Sequence, residues 1–221
     1  MELKGKKILF IGDSITEGIG TTGKDKIYWN LLCKRNEAEA YVNGWSGTRI
    51  ARYHSPDPNF QDTYYASRLD LWERDVDIVV VFGGTNDFDL GNAPFGTQSD
   101  RTPDTYCGAL HHLMTTLIIH YPDAAIVFLT PLHRLNEDVT VKEVLPNSVP
   151  SKRHGRLVRY VDAIIETAAF YSIPVLDLYR VSGMQPRVPI IQEKYVPDGL
   201  HPNDAGHERL ANCLESFLKA L

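Results

Sequence analysis

Cysteine is scarce in this sequence and not paired by spacing: Cys33, Cys107 and Cys213 form an odd set with no C-x-x-C pattern. A disulfide framework is therefore excluded, and the three read as reduced, mostly buried thiols. A basic surplus is missing as well. With 23 Lys and Arg against 28 Asp and Glu, the net charge is −5, whereas a nucleic-acid surface needs a basic stripe or excess. Long apolar runs are absent. Lysines precede Ile8-Leu9-Phe10-Ile11, but that run stops at Gly12-Asp13, too short for a signal-peptide core. The run from Ile78 to Phe82 falls far below the ~20 residues a membrane helix requires. A soluble, cytoplasmic protein is expected. Repeats, low-complexity tracts and interdomain linkers are also missing, so residues 1–221 are expected to form one domain.

What is present is ordinary globular composition, 43% hydrophobic and 23% charged. Residues 7–11, 77–82 and 125–130 are rich in Ile, Val, Leu and Phe without polar alternation. Strands covered on both faces read this way. Weaker strands are expected at residues 39–42 and 173–176. Between them run helical stripes. Leu110, Leu113, Met114, Leu117 and Ile118 form one, with an expected start at Thr102-Pro103. Leu157, Val158, Val161, Ile164, Ile165 and Ala168 form a second. Leu210, Ala211, Leu214, Phe217, Leu218 and Leu221 form a third, entered through Pro202-Asn203. Alternating strands and helices predict a parallel sheet sandwiched by helices. Residues 89–100, 133–150 and 183–197 read as long irregular loops. All follow predicted strands and are candidate walls of a ligand crevice.

Four stretches carry groups capable of chemistry. Gly12-Asp13-Ser14-Ile15-Thr16 ends the first strand and places a hydroxyl at the crevice, though Ser or Asp there also suits a helix cap. It is neither a G-x-S-x-G elbow, since Thr16 occupies the last glycine position, nor a phosphate-binding P-loop. Asn43-Gly44-Trp45-Ser46-Gly47 follows the second strand; its glycines either free backbone N–H groups for a substrate oxygen or make a plain turn. Gly83-Gly84-Thr85-Asn86-Asp87 follows the third, and Asn86 offers either a side-chain N–H to the same oxygen or a turn cap. Asp198 and His201, three apart across Gly199, precede the last helix. A carboxylate at that spacing can fix the proton on one ring nitrogen and leave the other as a base.

Taken together and in this order, the four stretches resemble the SGNH (GDSL-type) hydrolase family, and the resemblance spans essentially the whole chain. Gly12-Asp13-Ser14 matches the first block, Gly47 the glycine block, Gly84-Thr85-Asn86-Asp87 the asparagine block, and Asp198 to His201 the final D-x-x-H block. The resemblance implies a three-layer α/β/α sandwich with a five-stranded parallel sheet of flavodoxin-like type. It implies Ser14 as nucleophile, His201 as general base and Asp198 as the group orienting His201. The implied oxyanion hole consists of the Ser14 and Gly47 backbone N–H groups and the Asn86 side chain. No metal or cofactor is implied. The expected partner is a small-molecule ester, with short acyl groups such as acetyl on carbohydrates or other small alcohols preferred.

A lysophospholipase or thioesterase is the alternative within the class. A metal-dependent phosphoesterase using Asp13, Asp198 and His201 and a silent sugar-binding module are the alternatives outside it. Against metal binding, His111, His112 and His120 show no i,i+4 pair. His207 is expected to be a solvated residue of the last helix. His133 is placed either at the crevice or in an ordinary structural setting. Among Trp45, Phe88, Tyr64 and Tyr65, a core role is expected ahead of a substrate platform.

Overall fold

The computed structural model describes residues 1–57, 59–138 and 154–221. Its strands are β1 (Lys7–Gly12), β2 (Glu39–Gly44), β3 (Ile78–Phe82), β4 (Ala125–Leu129) and β5 (Val175–Leu176). The helices that matter here are α1 (Ser14–Glu17), α2 (Tyr28–Arg35), α3 (Thr85–Asp89), α4 (Tyr106–His120), α5 (Leu157–Phe170), α6 (Leu178–Val181), α7 (Pro189–Tyr195) and α8 (Asp204–Ala220). The strands form one parallel sheet in the order β2-β1-β3-β4-β5. β2 runs two residues beyond the expected end and pairs Gly44 with Gly12. β5 begins only after Pro174, which has no N–H to give to a ladder.

The continuous apolar runs are explained by burial on both faces. Leu9, Ile11, Val79, Val81 and Phe128 point to a layer built from α4 and α5. Ile8, Phe10, Ile78, Val80, Val127 and Leu129 point to the opposite layer, built from α2 and α8. Fully burying such a side chain is worth about 1.5–3 kcal/mol, so neither face of the central strands tolerates a polar alternation. The result is the three-layer α/β/α architecture. β1 lies between β2 and β3, and the chain order reverses there. The loops leaving the C-terminal ends of these three neighbouring strands thus open onto one crevice.

Several local expectations change. α4 begins at Tyr106 rather than at Thr102-Pro103: the Thr105 side chain caps it by accepting from Gly108 N–H, and the Pro103 carbonyl is taken by Arg52 N–H at 2.9 Å. Residues 183–197 are not wholly irregular, because α7 starts with Pro189 in the first turn. None of its residues is buried, so no apolar stripe announces it. Of the expected loop at 133–150, residues 139–150 lie outside the described residues. Among the described residues no helix is long and apolar enough to cross a membrane.

His207 is the largest departure. It was expected in solvent on α8, yet it is fully buried, with its ring stacked on Tyr28 at 5.9 Å and its Nδ1 accepting from Tyr28 N–H at 3.2 Å. α8 turns this position inward against α2, where the ring fills space between the two helices. Burial pushes the imidazole down from 6.5 to about 4, against the opposing pull of Asp204. The unfolded chain therefore binds a proton that the folded one refuses. The stabilisation present above 6.5 is lost as pH falls toward 4, roughly 3 kcal/mol in all. His207→Asn keeps an acceptor for Tyr28 N–H but does not titrate. It should be less stable than the parent at about pH 7, with the gap narrowing toward about pH 4.5. Denaturant midpoints at both pH values check this, and a gap independent of pH would contradict it.

Candidate active site

The site is built outward from the end of β1. A Cβ on Gly12 would lie 2.0 Å from Thr16 Oγ1 and 3.0 Å from the Phe82 carbonyl, so only glycine fits between β3 and the first turn of α1. Asp13 caps α1, its Oδ1 accepting from Ile15 N–H at 3.0 Å. Burial pushes the Asp13 carboxyl up to about 6, against the pull of that N–H and of His201 and Arg68. Because Asp13 does the capping, the Ser14 hydroxyl in the first turn is left for another partner.

That partner comes from the far end of the chain. His201 Nε2 lies 3.0 Å from Ser14 Oγ, and His201 Nδ1 lies 2.7 Å from Asp198 Oδ2. The other carboxylate oxygen of Asp198 accepts from Leu200 N–H at 2.8 Å and His201 N–H at 2.6 Å, across the left-handed Gly199. Burial opposes ionisation of Asp198. The hydrogen bonds from the His201 ring and from the two backbone N–H groups outweigh it and hold the carboxyl below its ordinary range. The loop is itself anchored: Gly199 carbonyl accepts from Leu135 N–H at 2.9 Å, and Asp204 accepts from Thr22 N–H at 2.8 Å.

The loops after β2 and β3 complete the crevice. Gly44 belongs to the sheet, whereas Gly47 occupies a turn with φ of +75°. Asn86 is buried in α3, and its Nδ2 donates one hydrogen to Thr48 carbonyl at 2.9 Å. A primary amide has two such hydrogens, so one remains. Neither Ser14 N–H nor Gly47 N–H donates to another group among the described residues. The structure thus brings Ser14, His201 and Asp198 into one hydrogen-bonded line and places the loops bearing Gly47 and Asn86 in mutual contact.

Asp87 closes the asparagine block without a role read from the sequence, and Arg68 and Arg134 gave no signal there. Asp87 is buried with its two oxygens accepting from Ile50 N–H at 3.0 Å and Ala51 N–H at 2.8 Å, and burial pushes it up to about 6. Arg68 is 3% exposed, donates to Gly12 carbonyl at 3.3 Å, and lies over the rings of Trp45 and Tyr65 at 5.1 and 5.2 Å. Its partners are a carbonyl and two ring faces, which no spacing rule reveals. Arg134 joins α3 to the loop after β4 through Asp89 at 2.7 Å. His133 is held by Glu137 at 2.9 Å and its ring lies tilted against Tyr179, centroids 3.8 Å apart; no hydrogen bond to Ser14 or His201 occurs among the described residues. Phe88 and Tyr65 are core, Tyr64 is half-buried, and Trp45 is 41% exposed. Asp13, a candidate metal ligand, has its Oδ1 engaged by Ile15 N–H. Among the described residues no three His, Cys, Asp or Glu are grouped as a metal ion would require.

The model of the GDSL-like lipase/acylhydrolase family matches residues 10–209. A solved structure from Lactobacillus plantarum is similar at 30% identity, covering 98% of both chains with a TM-score of 0.80. A putative GDSL-like lipase from Bacteroides ovatus is similar at 19% identity over 99% of this chain and 100% of its own, TM-score 0.69. An acetyl xylan esterase is similar at 18% identity over 96% of this chain and 99% of its own, TM-score 0.65. No curated protein matches the chain.

Asp87→Ala should strand the Ile50 and Ala51 N–H groups in the interior. The expected loss is about 2 kcal/mol or more by urea unfolding, with Asp87→Asn losing less because it keeps one acceptor. Equal stability of Asp87→Ala and parent would remove Asp87 as the anchor of this loop.

Proposed function

The chain belongs to the GDSL-like lipase/acylhydrolase family, and from that premise we propose that it is a serine esterase whose nucleophile is Ser14. The observation that carries the proposal is the unbroken line from Ser14 Oγ to His201 Nε2 at 3.0 Å and from His201 Nδ1 to Asp198 at 2.7 Å. A serine hydroxyl is a weak nucleophile until a base takes its proton. In the proposed reaction His201 Nε2 takes that proton as Ser14 Oγ attacks the ester carbonyl. Asp198 accepts from Nδ1–H throughout, which keeps the useful tautomer and stabilises the transient imidazolium. The carbonyl electrons move onto oxygen, where the N–H groups of Ser14 and Gly47 and the second amide hydrogen of Asn86 are proposed to receive them. Collapse expels the alcohol, which leaves with the proton from His201. Water then attacks the acyl-Ser14, gives its proton to His201 and releases the acid and the free serine. No metal or cofactor takes part.

For substrate we propose short acyl esters, acetyl foremost, on carbohydrates or other small alcohols. The fold shared with an acetyl xylan esterase supports this, as does the exposed face of Trp45 beside the nucleophile turn. The free thiols of Cys33, Cys107 and Cys213 fit a reducing, cytoplasmic setting.

A panel of acetylated sugars and aryl esters of increasing acyl length tests the reading. The parent should cleave acetate esters fastest, and Ser14→Ala should lose that activity. Retention of activity in Ser14→Ala would overturn the nucleophile assignment, and faster cleavage of long acyl chains would favour a lysophospholipase or thioesterase. Asn86→Ala should lower turnover about 100-fold or more, the scale known for a lost oxyanion donor. Unchanged turnover would take Asn86 out of the oxyanion hole.

A further inference from the structure

We infer that Glu17 is a positioning residue that straps the turn bearing Gly47 to the helix bearing Ser14; the inference rests on the esterase reading above. Glu17 is the last residue of α1, three after Ser14 on the same single turn. Its Oε2 accepts from Ser46 N–H at 2.6 Å and from the Ser46 hydroxyl as well. Ser46 immediately precedes Gly47, whose N–H is the proposed donor.

The turn is closed on itself by Thr48, whose N–H at 3.3 Å and hydroxyl at 2.7 Å both donate to Trp45 carbonyl, which sets its shape but not its position against α1. A Cβ built on Gly47 would meet no heavy atom within 4 Å, so nothing packs against this residue on its side-chain side. Its orientation depends on hydrogen bonds to its neighbours. On one side Gly47 carbonyl accepts from Arg49 Nη1 at 3.1 Å. On the other side stands the Glu17–Ser46 pair. Trp45 N–H to Gly12 carbonyl at 3.1 Å and Asn86 to Thr48 carbonyl at 2.9 Å tie the outer ends of the turn to β1 and α3. Among the described residues Ser46 alone ties the turn's middle to α1 by hydrogen bonds. The peptide between Ser46 and Gly47 is thus held from both flanks, and one flank is fixed to the same turn that carries the nucleophile. A shift of about 1 Å between nucleophile and oxyanion donor is enough to cost on the order of 100-fold in rate.

Magnitudes separate this role from a stability role. Glu17 and Ser46 are both exposed, and exposed polar pairs contribute little to folding. Loss of the strap should therefore appear in turnover while the thermal midpoint stays unchanged. The test uses Glu17→Ala, Glu17→Gln and Ser46→Ala on an aryl acetate, with kcat and KM separated and Ser14→Ala as control. Glu17→Ala should lower kcat about tenfold or more, part of what loss of a whole donor costs, with KM little changed. Glu17→Gln should recover most of the rate, because its amide oxygen can accept both Ser46 hydrogens. Ser46→Ala should fall between, and adding it to Glu17→Ala should cost nothing further, as expected of two members of one contact. An alkylboronic acid, which forms a tetrahedral anion on the serine oxygen, should bind Glu17→Ala more weakly by the factor lost in kcat. An unchanged kcat, a rise in KM alone, or unaltered boronate binding would overturn the strap. Should Glu17→Ala fail to fold, Glu17→Gln and Ser46→Ala decide by the same readouts. Ester cleavage that survives in Ser14→Ala would instead overturn the esterase reading.

Discussion

At Gly12 the chain has room for no side chain, with Thr16 and the Phe82 carbonyl both within reach of a single added carbon. β1 is paired there on both sides, to Gly44 of β2 and Phe82 of β3. The Gly12 carbonyl accepts from Trp45 N–H and from Arg68. One backbone position therefore sets the distance from the turn bearing Ser14 to both neighbouring loops. The sheet supplies the stiffness behind it, since β1 and β3 are buried on each face between two apolar layers, and a shift in their register would set side chains packed in one layer against the other.

Electrostatics at the crevice follow from how little water reaches its floor. Asp13 and Asp87 are both buried, and both are pushed up to about 6 by burial. Among the described residues neither is paired with a cation in direct contact; each accepts from backbone N–H groups. Buried carboxylates of this kind define loop conformation, because the N–H groups they accept from can belong only to one arrangement of the chain. Asp198 differs. It is half-exposed, and hydrogen bonding wins over desolvation, so its carboxyl is held in the ionised form beside the imidazole. Carboxylates at one sheet edge thus take opposite shifts according to their surroundings, and the one beside His201 keeps its charge at neutral pH.

Much of this was legible in the residues. Unalternated runs such as Ile78–Phe82 specify buried strands, and the helical stripes at Leu110–Leu117 and Leu157–Ala168 carry one face each. Features that depend on local competition were harder to read. The start of α4 was set by which residue lost its carbonyl to Arg52, a contact made across 51 residues of sequence that no window reveals. α7 buries nothing and so has no stripe. His207 is polar at a helix position that three-dimensional packing turns inward, and the sequence pattern assigned it to solvent. At the site, Ser14, Asp198, His201, Gly47 and Asn86 were visible as short motifs after strands. Arg68 and Glu17 were not, and Asp87 was visible in its motif without a role, because their partners are backbone groups, a neighbouring hydroxyl and ring faces brought near by the fold.

The bond between His201 and Ser14 joins residues 187 apart. The packing of α8 on α2 likewise unites opposite ends of the chain. During synthesis the hydroxyl emerges well before the imidazole that would activate it. All five strands precede His201, so the contact with Ser14 waits on the last segment of the chain and not on the sheet. On the proposed esterase reading, reactivity would be switched on when the segment bearing His201 docks beside α1, and ester cleavage would then report that the molecule has finished folding.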